Sequence, residues 1–277
     1  MTIYRVGIIG CGRPFKTEGA TGFGMSNGHA DGYTRAPDAE IVALADINME
    51  NAQAFQDRWG GEKIYLNYHD MLTQEALDIV SISTWPHLHA EMVIACAEAG
   101  VKAVHCEKPM ATTYGDAVRM VEVCEANGVQ LTFNHQRRML PVFRKAKALI
   151  DEGAIGELIR VEGYCPDLYD WGTHWFDMLC MYNNETPVEW VIGQIDVGTT
   201  KEVFGVTLEG QGVSHFRFEN GVDGLLLTGH GAGGYTTNQI LGTDGILEIG
   251  RNPDQPLRLL AQHGWQTVEV EGGLHGL

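Results

Sequence analysis

The chain has 277 residues, with 19 Lys and Arg against 36 Asp and Glu, a formal net charge of −17 and 44% hydrophobic residues. That composition is too apolar for intrinsic disorder and too acidic for a nucleic-acid partner, the best basic pair being Arg137 and Arg138. No apolar run has membrane-spanning length, and the opening MTIYRVGIIGCG lacks the basic region and cleavable apolar stretch of a secretory signal, so a cytoplasmic protein with no membrane partner is expected.

Residues 3–9 form a short β-branched run that predicts the first strand. Further strands are predicted at 41–45, 64–66, 79–82, 101–105 and 129–133. Helical spacing of apolar residues occupies 51–59, 88–99 and 117–126 between them. Nearly continuous apolar strands alternating with amphipathic helices imply a parallel sheet covered on both faces. Gly100 and Gly128 stand where helices should stop. From about residue 135 the pattern changes. Pro141 opens a helix that closes near Gly153. Strands are then predicted at 158–165, 188–194, 213–218, 222–228 and 246–249, with Asn220-Gly221 as a hairpin turn and residues 242–245 as another turn. The expected fold is α/β: a doubly wound parallel sheet over residues 1–134, then an α+β domain over 135–277 with an open, mostly antiparallel sheet. The six cysteines include no C-x-x-C and read as reduced, buried, small hydrophobes.

Four places carry chemistry. Gly7-Ile8-Ile9-Gly10-Cys11-Gly12 follows the first strand, where Gly10 and Gly12 permit a tight turn and close approach to a pyrophosphate. The third glycine of the dinucleotide pattern falls instead at Phe15, and a glycine-rich segment, 13–27, delays the helix to about residues 28–33; a plain glycine turn also explains this stretch. Asp46 ends the second strand, where a carboxylate can accept both hydroxyls of an adenosine ribose and repel a 2′-phosphate; it equally fits a cap for the following helix. His87 and His89 form an H-x-H after the fourth strand, which suits either a cofactor cleft or, in a different fold, a metal site; no metal is expected. Glu107-Lys108-Pro109 ends the fifth strand, placing Lys108 where ligands bind in such sheets, or on a solvated surface. Finally, Asp170, His174 and Asp177 fall on one face if 170–177 is helical. An imidazole between two carboxylates suits a general base, while a capping Asp170 beside a satisfied His174 is the plainer alternative.

The glycine turn GIIGCG, the Glu107-Lys108-Pro109 tripeptide, the segment STWPHLHAEM and the pattern Asp170-x-Gly172-x-His174-x-x-Asp177 together resemble the glucose–fructose oxidoreductase and inositol dehydrogenase (Gfo/Idh/MocA) family. The resemblance implies an N-terminal Rossmann domain and a C-terminal domain for substrate binding and oligomerisation. It implies NAD(P)-dependent hydride transfer on a sugar, cyclitol or related polyol; of the two cofactors NAD is expected and NADP less so, because of Asp46. It also implies Lys108, Asp170 and His174 as the catalytic set, and Gly10, Gly12, Asp46, Thr84, His87, Glu107 and Lys108 as cofactor-binding residues. A homodimer or homotetramer formed through the second sheet is expected. An NAD-dependent glycoside hydrolase and a non-catalytic NAD-binding sensor are the alternatives. The segment 13–27 is longer than the family's turn, and the chain ends at Leu277 ahead of the family's later strands and closing helix, so a shortened second domain is expected.

Overall fold

The computed structural model describes residues 2–20, 22–233 and 236–270. Thr21, within the glycine-rich segment, and the chain end at Leu277 lie outside the described residues. The chain divides into two compact units, 1–134 and 135–277.

The first unit carries six strands: β1 (Tyr4–Ile9), β2 (Ala39–Ala45), β3 (Lys63–Tyr65), β4 (Ile79–Ile82), β5 (Ala103–Cys106) and β6 (Gln130–Phe133). They form one sheet in the order β3-β2-β1-β4-β5-β6, every pairing parallel. This is the doubly wound order whose switch point lies between β1 and β4, and ligands bind outside the carboxyl ends of the strands there. The central strands are buried on both faces, with Val6, Ile8, Val42, Leu44, Val80, Ile82 and Val104 all inaccessible. Each such side chain contributes roughly 1.5–3 kcal/mol on burial. The helices are α1 (Ser26–Arg35), α2 (Met49–Trp59), α3 (Tyr68–Gln74), α4 (Pro86–Glu98) and α5 (Tyr114–Ala126). Their starts are specified locally. Asn48 caps α2 by accepting the Glu50 and Asn51 N–H groups, Thr113 caps α5 through Asp116 N–H, and Pro86 opens α4 at a position that needs no donor. Helix α3 has no counterpart in the sequence reading. It has only seven residues, one of them buried (Met71), too few to display a period.

The second unit contains α6 (Pro141–Asp151), α7 (Gly172–Tyr182) and the strands β7 (Leu158–Cys165), β8 (Val188–Asp196), β9 (Lys201–Val203), β10 (Val206–Leu208), β11 (Gln211–Phe218), β12 (Asp223–Gly229), β13 (Thr237–Gly242), β14 (Ile246–Asn252), β15 (Gln255–Ala261) and β16 (Gly264–Thr267). Eight of these strands make a sheet ordered β16-β15-β14-β13-β7-β12-β11-β8. Its pairings are antiparallel except β12 with β7. Strands β9 and β10 form a separate ribbon. The β11–β12 hairpin turns through three residues, 219–221, with Gly221 at φ 86° rather than through Asn220-Gly221 alone. Strands β15 and β16 extend the sheet beyond the sequence reading, and Pro256 in β15 is a residue that a strand seldom carries. Helix α7 lies on β7 and β12. Trp175, Met178, Leu179 and Tyr182 are buried with Val161, Leu226, Ile240 and Leu247 in one core. Close approach of α7 depends on Gly163, where a Cβ would stand 2.7 Å from the Trp175 ring.

Candidate functional site

The glycine turn leaves β1 through Gly10, at φ 89°, where a Cβ would meet the Ser83 carbonyl oxygen at 2.7 Å. Only glycine lets β1 and β4 end this close together. Asp46, at the end of β2, accepts Cys11 N–H on one oxygen (2.7 Å) and Asn48 N–H on the other (2.8 Å). Asn48, not Asp46, caps α2. A carboxylate oxygen has two lone pairs, so each oxygen of Asp46 keeps an acceptor position for a ribose hydroxyl. Two nearby cations, Arg13 and Arg58, are already engaged. Arg13 donates to Asn51 Oδ1 at 3.0 Å and to the Glu18 carbonyl at 3.1 Å, and it lies 3.8 Å from Glu50. Arg58 stacks on Trp59. Glycine turn, strand-end acid and committed cations fit a dinucleotide lacking a 2′-phosphate.

At the end of β4, Thr84 donates its hydroxyl to Met92 Sδ at 3.3 Å. His87 is exposed in the first turn of α4, whereas His89 is fully buried. The His89 ring nitrogens face the Pro109 carbonyl (2.9 Å) and the Thr84 carbonyl (3.2 Å), clamping the ends of β4 and β5 together. Burial lowers the pKa of His89, opposed by those carbonyls. With both nitrogens engaged, His89 offers nothing to a metal.

Glu107 follows β5 and is buried. One oxygen takes His29 Nε2 at 2.9 Å and Asn134 Nδ2 at 2.6 Å; the other accepts the Lys108 N–H at 3.1 Å. Burial pushes the Glu107 pKa upward, but His29, Asn134 and Lys108 outweigh it and hold the carboxyl below its usual range. The carboxylate of Glu107 is therefore spent within the protein, and Lys108, half-buried, is the side chain that the strand end presents. Neither His29 nor Asn134 figured in the sequence reading. The available signal was that Ser26, His29, Ala30 and Tyr33 share one stripe of α1, so the histidine faces the sheet.

In the second unit Asp170 precedes α7, which begins at Gly172. The buried Asp167 makes the turn instead. Its carboxylate accepts Asp170 N–H (2.7 Å) and Trp171 N–H (3.0 Å), its carbonyl accepts Gly172 N–H, and Lys201 pairs with it at 2.8 Å. His174 is buried in the first turn of α7, its ring edge-on to His135 at 5.4 Å. Asp177 pairs with Arg138, 2.9 Å distant. Burial pushes the Asp177 carboxyl up to about 6, with Arg138 opposing. Arg137 stacks on Trp171 and Trp175, 4.7 and 5.3 Å from their centroids, and burial lowers its pKa. Gln136 Oε1, Arg137 Nε and Tyr169 Oη are buried without a hydrogen-bond partner among the described residues. Buried polar groups in that state call for an outside partner.

A family described as oxidoreductases with an NAD-binding Rossmann fold matches residues 4–135. A D-apiose dehydrogenase of Paraburkholderia graminis is 35% identical over 153 residues, covering 55% of this chain and 38% of that protein. A myo-inositol 2-dehydrogenase of Thermotoga maritima is 31% identical over 153 residues, covering 55% and 42%. This chain thus matches about two fifths of the length of these curated relatives. Among solved structures, an NAD-binding oxidoreductase of Klebsiella pneumoniae superposes with a TM-score of 0.80 at 22% identity, over 97% of this chain and 80% of that one, which bears on the fold alone.

Proposed function

We propose, from the match of residues 4–135 to the oxidoreductase family with an NAD-binding Rossmann fold, that this chain is a Gfo/Idh/MocA-type NAD-dependent dehydrogenase acting on a hydroxyl of a sugar, cyclitol or related polyol. The observation that carries this reading is Lys108 at the carboxyl end of β5, in a sheet of order β3-β2-β1-β4-β5-β6, its backbone pinned by Glu107. When bound, NAD accepts the hydride from the carbinol carbon. The protein's own groups do the rest. Asp46 takes the adenosine ribose hydroxyls, and Gly10 and Gly12 let the backbone approach the pyrophosphate. Thr84 and His87, at the end of β4 and the start of α4, flank the cofactor. Lys108 donates to the substrate oxygen and stabilises the negative charge that grows there, while His174 takes the hydroxyl proton and Asp170 orients it.

The substrate class is supported by the D-apiose and myo-inositol dehydrogenases among the relatives. Gln136, Arg137 and Tyr169 add to it, since polyol hydroxyls both donate and accept and would satisfy all three. A cytoplasmic location agrees with six cysteines that all remain free thiols. No helix among the described residues is long and apolar enough to cross a membrane. A homodimer or homotetramer is supported by β8, an edge strand on which Val191, Ile192 and Ile195 are 62%, 67% and 56% exposed.

A panel of sugars, cyclitols and polyols, scored for NADH formation with NAD and for sugar release from glycosides, tests the reading. Net NADH formation is expected. Lys108→Ala and His174→Ala should each lower turnover by about 10² to 10⁴ while NAD affinity stays nearly unchanged. Turnover within a few-fold of wild type in either variant removes that residue from the catalytic set, and sugar release without net NADH makes the protein a hydrolase.

A further inference from the structure

We propose that His29 is a positioning residue for Lys108, acting through the Glu107 carboxylate; that role matters for catalysis only if Lys108 is the catalytic lysine described above. His29 is buried on α1, seven elements ahead in sequence of the strand end that it serves. Its Nδ1 faces Ser81 Oγ at 2.6 Å and Ser83 Oγ at 3.4 Å, and its Nε2 faces Glu107 Oε1 at 2.9 Å. Asn134, just after β6, donates to the same oxygen at 2.6 Å. The His105 ring backs His29, centroid to centroid 4.7 Å. These contacts consume one oxygen of Glu107 and fix the plane of the carboxylate, so that the other oxygen meets the Lys108 N–H at 3.1 Å. Helix α1, the ends of β4 and β6, and the residue after β5 are thereby tied to one carboxylate, and the backbone of Lys108 is the group tethered by it.

The arrangement is costly to disturb because the carboxylate is buried. Burial alone favours its protonated form, and His29 is the first of the groups that reverse this. The other ionisable groups facing Glu107 are Lys108 itself, His105 and Cys106 on β5, and His89 on α4. None of them takes the place of the Nε2 contact. Without His29, Glu107 takes up a proton at a higher pH, and a neutral carboxyl holds the Lys108 N–H less firmly than an ionised one. A side chain that only filled space would change packing without moving the titration of Glu107.

The test needs no substrate. Wild type, His29→Ala and His29→Gln are followed by amide hydrogen exchange at Lys108 and by the carbon-13 shift of the Glu107 carboxyl across pH, assigned with Glu107→Gln, with NAD affinity measured alongside. In His29→Ala, Lys108 exchange should rise at least about tenfold with β1 and β4 amides unchanged, and Glu107 should titrate at least about one pH unit higher. His29→Gln, which keeps an N–H toward Glu107, should return both toward wild type, and it carries the experiment alone if the alanine variant does not fold. Wild-type values for both readouts in His29→Ala, or a glutamine variant no better than alanine, overturn the assignment. Failure of the dehydrogenase reading would show in the polyol panel and leave these two readouts in place.

Discussion

Replacing Asp46 by Asn tests the cofactor site most directly, because the two side chains have the same shape and differ in charge and in one donor. In wild type each carboxylate oxygen already holds one backbone N–H, from Cys11 at 2.7 Å and from Asn48 at 2.8 Å. The asparagine keeps one acceptor and turns an NH₂ group toward the other N–H, where donor faces donor. It also loses at least one ionic acceptor for the ribose. A hydrogen bond to a charged group contributes about 1.5–3 kcal/mol, so NAD should bind about tenfold to a hundredfold more weakly. NADP should respond in the opposite sense relative to NAD. Like charges about 4 Å apart repel by roughly 4 kcal/mol near a protein surface, reduced here by solvent because Asp46 is half-exposed. Removing the charge relieves that repulsion. The ratio of NAD to NADP affinity should therefore start at about tenfold or more and fall by about tenfold or more in Asp46→Asn. Titration of both cofactors by intrinsic tryptophan fluorescence measures it. Equal affinities in the wild type, or an unchanged ratio in the variant, would mean that Asp46 serves only the turn at Cys11.

Two further predictions concern the second unit. Asp177 carries a carboxyl raised to about 6, burial being the largest cause. A folded-state pKa above the unfolded value gives stability that is complete below about pH 4 and lost as pH rises through about 6. Thermal melts of wild type and Asp177→Asn between pH 4 and 7 should show the difference in melting temperature changing across that window; a constant difference would refute the assignment. Tyr182 is fully buried and its hydroxyl has no hydrogen-bond partner among the described residues. Tyr182→Phe should therefore be neutral or stabilising by up to about 1 kcal/mol in denaturant unfolding, and a loss of more than about 1 kcal/mol would place an acceptor at that oxygen.

The parallel half of the fold was readable because its strands are sealed on both faces. A run such as Ile41-Val42-Ala43-Leu44-Ala45 has no alternation, and the capped helices between such runs leave few other architectures. The antiparallel sheet was readable at Asn220-Gly221, where the turn chemistry is explicit, and less so at β15, where Pro256 argues locally against a strand that tertiary pairing accepts. A residue at a strand end, such as Asp46, can be placed from a short window. Chemistry carried by partnership cannot. Asp167 looks like any loop aspartate, yet it makes the turn that ends in Asp170 and α7. Nor does the spacing show that α7 begins only at Gly172, with Asp170 ahead of it. His29 and Glu107 are 78 residues apart, and no local pattern joins them.

Asp46 and Glu107 show how the same side-chain chemistry at equivalent places acquires different work. Each is an acid just beyond the carboxyl end of a parallel strand, and each holds a backbone N–H of the surrounding turns. The difference lies in burial and in the number of donors. Asp46 is half-exposed and spends one lone pair per oxygen, so its remaining acceptor positions face a ligand's hydroxyls at little desolvation cost. Glu107 is 5% exposed, and one of its oxygens already serves both an imidazole and an amide. A buried carboxylate is tolerated only when its charge is met by donors or a cation, and satisfying that condition leaves Glu107 little capacity for a ligand. What it gains is rigidity, which it passes to the next residue. The chain thus leaves one strand-end acid with open acceptor positions and commits the other within the protein, and the residues setting that division are Asn134 and, 78 positions before Glu107, His29.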